Sequence, residues 1–176
     1  MLQPRRIILE GFVAGLVGAA AVAIWFLIVD VVNGRPFFTP AMLGSAIFDG
    51  LRDPTLVQVE FRTVIMYSML HVLAFLGVGT VAAMLVAEAE EVPHMVWLLV
   101  VFFAVFEFGF YIVVATTLTP LLRALAWVNV AIGNLIAALG MGFYLWQVHP
   151  KLRAELHAHP LGSTGDHEVV TIPPEQ

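Results

Sequence analysis

The sequence contains no cysteine. That one absence excludes disulfides, thiolate metal sites, iron–sulfur clusters and cysteine nucleophiles together. Charge is also scarce, at 12% of residues, against about 25% in a soluble domain. No basic run of the kind that binds nucleic acid is present. There is no Ser–His–Asp set, no phosphate-binding glycine loop and no pair of carboxylates placed for a cleft. These absences point away from an enzyme, from a bound cofactor and from a nucleic-acid partner. What the chain has in excess is apolar surface, with 60% hydrophobic residues over 176 positions and a mean hydropathy of +0.92. A chain this short cannot hide so much apolar surface inside itself, so its expected solvent is lipid.

The longest apolar run is Met95 to Thr119, interrupted by one charge, Glu107, at its centre. Such a run crosses a hydrocarbon layer of ~30 Å as a helix rising ~1.5 Å per residue. Three further runs have the same character, which predicts an all-α integral membrane protein with four transmembrane helices in an antiparallel bundle. The expected spans are residues 7–32, 61–87, 95–118 and 121–148, making one membrane domain over 1–150. The first run is too long for the apolar core of a secretory signal. Gly11, Gly15 and Gly18 give it a small-residue face that lets another helix approach closely, and Gly133 and Gly140 do the same for the last. Trp25 has the placement of an interfacial anchor, and Asp30 falls in a last turn open to water.

Between the first two spans, Asn33-Gly34-Arg35-Pro36 reads as a turn. Thr39-Pro40 reads as an N-cap with proline at the first helical position. This predicts a short surface or re-entrant helix over about 40–51. Asp53-Pro54 repeats the signal, which predicts that the next helix begins at Pro54. Glu88, Glu90 and Glu91 read as a solvated rim and His149 as an interfacial residue. Thr119-Pro120 starts the fourth helix, with Arg123 in its first turn, after a tight hairpin. Residues 151–176 are expected to be a polar, disordered tail after at most a short amphipathic turn. Its His157 and His159 are weak metal candidates.

Arg5, Arg6, Lys151 and Arg153 flank the ends of the membrane domain, and Arg35, Arg52, Arg62 and Arg123 lie on the loop side. The positive-inside count is tied, and the first helix then favours both termini in the cytoplasm of a cell membrane, such as a bacterial inner membrane. His71 lies ~6 Å and Asn134 ~3 Å from the centres of their spans, both displaced to the same side. His71, Glu107 and Asn134 are therefore expected in one mid-membrane layer, with Tyr67 and Tyr111 one turn away. Such a layer has two readings. It can fix helix register, or it can form a proton relay or a solute or ion site.

Three function classes follow. The first is a non-catalytic accessory or structural subunit of a membrane complex, or a homo-oligomer. The second is a proton-coupled carrier or channel built on the polar layer. The third is a membrane enzyme for lipid or quinone, which needs Asp30, Arg35 and Asp49 to converge near the headgroups.

Overall fold

The computed structural model describes residues 4–91, 96–117 and 127–158; the side chains of Glu107, Tyr111 and His157 lie outside this description, as do His159, Thr119-Pro120 and Arg123. Every regular element among the described residues is helical: α1 (Pro4–Val32), α2 (Phe38–Phe48), α3 (Phe61–Glu91), α4 (Val96–Thr117), α5 (Trp127–Val148) and α6 (Pro150–Ala158). Three stretches, Arg5–Val32, Phe61–Glu90 and Trp127–Val148, are long and apolar enough to cross a membrane.

The centre of the fold is the seam between α1 and α3, and glycine makes it. A Cβ on Gly11 would lie 2.5 Å from the Cα of Thr80, and one on Gly15 would lie 2.8 Å from the Cα of Leu76. From the other side, a Cβ on Gly79 would lie 2.6 Å from the Cα of Gly15. Two helix backbones are thus in direct contact, which only small residues permit. Early residues of α1 meet late residues of α3, so the two run in opposite directions. Gly18 faces the Met141 sulfur and the Phe75 ring, and a Cβ on Gly140 would lie 3.2 Å from Val17. Gly133 leaves room for the Trp25 indole, whose N–H donates to the Asn129 carbonyl at 2.8 Å. Trp25 is therefore a half-buried tie to α5 as well as an aromatic near the helix end. The buried cluster Ala14, Val22, Phe75, Ala83, Ala137, Met141 and Leu145 fills the space between the three helices.

The connection between α1 and α3 differs from the sequence reading in three places. The short helix spans Phe38–Phe48, and eight of its eleven residues are buried. It is packed into the protein rather than laid on a surface. Gly44 seats it on the Thr63 carbonyl at the start of α3, and Met42 and Leu43 pack with Val130, Phe26 and Tyr67. Thr39 is not the N-cap. Phe37 occupies that position in a left-handed conformation with φ 64°, and its side chain makes no capping bond. The capping acceptor comes from α1: Asp30 accepts from the Thr39 amide and from its hydroxyl, both at 2.7 Å. Asp30 is accordingly 4% exposed, not open to water. Asp53-Pro54 begins only a single 3-10 turn, Pro54–Leu56, and α3 starts at Phe61.

At the opposite end, α5 stops at Val148 and α6 begins at Pro150. Proline disfavours a helical backbone in the residue before it, so His149 sits in the break. Helix continues to Ala158, further into the tail than the polar composition suggested. α4 touches the core through Leu99, Phe102 and Phe106, and it lines a cavity of about 290 Å³ together with α3 and α5.

Candidate functional site

Charged and polar side chains inside apolar helices are costly to keep unpaired, so each one marks a place where the fold has a task. Asp30 is used for capping, as described. Arg35 lies 4.0 Å above the Phe38 ring, and Asp49 pairs with Arg62 at 2.7 Å. The Arg35 amide also donates to the Asp30 carbonyl at 2.8 Å, so Asp30 and Arg35 meet at the start of α2, while the Asp49 carboxylate is held by Arg62.

Of the mid-membrane residues, Tyr67 and His71 share a face of α3, with ring centroids 6.0 Å apart. His71 also packs on Phe75 at 4.8 Å, and Phe75 meets Phe106 of α4 edge-on at 6.2 Å. The polar contact of His71 runs to α1: its Nε2 lies 3.2 Å from the carbonyl of Ala19. A carbonyl only accepts, so this bond requires the Nε2–H tautomer. Asn134 lies on the wall of the cavity between α3, α4 and α5, together with Phe75 and Phe106. The partners of Glu107 and Tyr111, which complete the expected layer, lie outside the described side chains. Phe102, Phe103 and Phe106 line the same cavity, while Phe108 is 68% exposed. Among the described residues, no group of three His, Asp or Glu side chains is arranged to hold a metal ion.

The most concentrated polar group is one that the sequence reading did not assemble. Glu10 of α1, Glu90 of α3 and His149 of the α5–α6 break meet at one end of the fold. His149 is 2% exposed, which corrects its reading as an interfacial residue. Its Nδ1 lies 2.9 Å from Oε1 of Glu90 and its Nε2 lies 3.2 Å from Oε2 of Glu10. The side chains of Glu90 and Glu10 are 8% and 10% exposed, so Glu90 does not belong to a solvated rim. Glu88 does remain exposed. Arg6 closes the group by donating to the other oxygen of Glu10 at 2.7 Å.

A signal for this cluster was present. Arg6 and Glu10 stand four residues apart, a helical ion-pair spacing. Glu10, Glu90 and His149 fall at the same end of three alternating spans. What hid it was the habit of assigning charges near span ends to water.

No protein-family model, no curated protein and no solved structure matches the chain.

Proposed function

We propose that the chain is a four-span integral membrane protein acting as a non-catalytic subunit of a membrane assembly, either with other proteins or with copies of itself. In this reading α4 is the third of the four spans, alternating in direction with α3 and α5. The observation that carries it is the seating of α4. In lipid, helices are held together by close van der Waals packing rather than by exclusion of water. α1, α3 and α5 have that packing. α4 meets them along one edge, beside an open cavity, and exposes Trp97, Val105 and Phe108 by 64%, 65% and 68%. A neighbouring helix seated there would cover these exposed side chains of α4. Arg5, Arg6, Lys151 and Arg153 lie at the end held by Glu10 and His149, and with the positive-inside count tied it is the first helix that favours a cytoplasmic location for both termini.

Because the chain has no cysteine, Val105→Cys introduces a unique label. The expected outcome is a cross-link from that position to a second polypeptide in native membranes. Modification only by lipid-soluble reagents, with the mass of a single chain, would contradict the proposal.

A second reading, a proton-coupled carrier or channel for a small solute or ion, draws on Asn134 at the wall of the open cavity and on Phe75 bridging that wall to His71. It would use His71, Glu107 and Asn134, flanked by Tyr67 and Tyr111. Glu107→Gln separates the two readings. A packing role tolerates the change, whereas a carrier loses pH-dependent flux in liposomes while the protein still inserts.

A further inference from the structure

His149 presents a problem of proton accounting. Each of its ring nitrogens faces a carboxylate oxygen, and the two carboxylates come from different helices. A neutral imidazole has one N–H and one lone pair. It can donate to one of these oxygens only. The other contact would then set a nitrogen lone pair against a carboxylate oxygen in a site shielded from water, where such a mismatch is expensive.

The mismatch has an address. Nδ1 of His149 is hydrogen-bonded to Oε1 of Glu90 at 2.9 Å, and an ionised carboxylate only accepts, so the single N–H of a neutral ring is spent there. Among the described residues, the buried side-chain atoms without a hydrogen-bond partner are Nε2 of His149 and Oε2 of Glu10, the two atoms of the other contact. A proton on that nitrogen sets an imidazolium 3.2 Å from the Glu10 oxygen and turns the mismatch into an ion pair. Arg6 already donates to Oε1 of Glu10, so that carboxyl group is engaged as an acceptor. The proton therefore belongs on the ring. With it, the charges of Arg6, Glu10, His149 and Glu90 sum to zero.

We infer that Glu10, His149 and Glu90 form a proton-binding site whose occupied form, an imidazolium hydrogen-bonded to Glu90 and ion-paired with Glu10, ties together the ends of α1, α3 and the α5–α6 break. The proton enters Nε2 from water and leaves to water, and no other bond changes. The surroundings are consistent with a site governed by this proton. α1 contributes Arg6 and Glu10, and α3 contributes Glu90. α5 contributes the half-buried Tyr144. Among the described side chains of α6, Lys151 is exposed and Arg153 half-buried. When the proton leaves, Nε2 and Oε2 repel and the α1 contact is lost, while the Glu90 contact can persist. Leu152, three residues beyond His149, lines the cavity beside α4, so loosening at this end also loosens one wall of that cavity. This inference is independent of the subunit reading.

The test is nitrogen NMR of the full chain in nanodiscs with all six histidines labelled in the ring. At neutral pH a solvated imidazole is mostly neutral. The expected spectrum has one ring with both nitrogens protonated, absent in His149→Gln. In Glu90→Gln or Glu10→Gln that ring reverts to a single N–H. Spin labels on unique cysteines at positions 5 and 151 are expected to move apart in alkaline buffer, and to show no such pH response in His149→Gln. A wild-type His149 ring with only one protonated nitrogen at neutral pH overturns the inference, whatever the variants do.

Discussion

Asp30 lies in the last turn of an apolar helix and yet meets almost no water, because Thr39 takes both of its oxygens. Asp30→Ala leaves two buried donors without an acceptor and is expected to destabilise the protein by about 2 kcal/mol. Thr39→Val removes one of the two bonds and costs about 1 kcal/mol. Unfolding in detergent measures both, and hydrogen exchange at the start of α2 localises the first. His149→Ala leaves Glu10 and Glu90 without the group between them. The expected loss is about 3 kcal/mol, the scale of breaking a buried ion pair, and the same unfolding assay reads it.

Asp53 shows the exposed counterpart. The Thr55 hydroxyl and then the Thr55 amide donate to its carboxylate, which lowers its pKa below the ordinary 3.8. A lowered carboxyl pKa contributes stability above the unfolded value, and that contribution is lost as the pH falls through the folded one. The Thr55 amide resonance is therefore expected to hold its position at neutral pH and to shift in acid below the ordinary carboxyl range, and Asp53→Asn abolishes the shift.

Among the elements, some glycines press on an opposing backbone, some on side chains and some on nothing. Gly79 is pressed against Gly15, whereas a Cβ on Gly77 meets no atom within 4 Å. Gly79→Ala must push α1 and α3 apart, because the opposing atoms are backbone and cannot move aside. Gly77→Ala is expected to be neutral, or stabilising by up to about 1 kcal/mol from helix propensity alone. Unfolding midpoints of the pair check this ordering, and equal effects would contradict the described seam.

The same elements show what the sequence made legible. Long apolar runs located α1, α3 and α5 because run length alone carries that signal. The Gly11–Gly15–Gly18 track was visible for the same reason, since its spacing is local. The start of α2 was misread because Thr39-Pro40 imitates a local cap, whereas the acting acceptor is Asp30, nine residues earlier. The start of α3 was misread because Asp53-Pro54 does cap a turn, but Val57 leaves it in an extended conformation. The Glu10–His149–Glu90 cluster is a contact of three distant segments, which no local pattern encodes. Proximity in the fold is what turns three residues near helix ends into a buried site.

For the whole molecule, the arrangement is a tightly packed α1–α3–α5 sheaf with its polar groups gathered at the two ends and α4 set against one side. The end built on α2 is held by Asp30, and the end built on α6 by His149. The central claim is that this sheaf is one part of a larger membrane assembly. Native mass spectrometry of the protein extracted from its own membranes in mild detergent tests that claim most directly. The account predicts a particle heavier than one chain, either a homo-oligomer or a complex with other polypeptides. A single chain carrying lipid alone would contradict it.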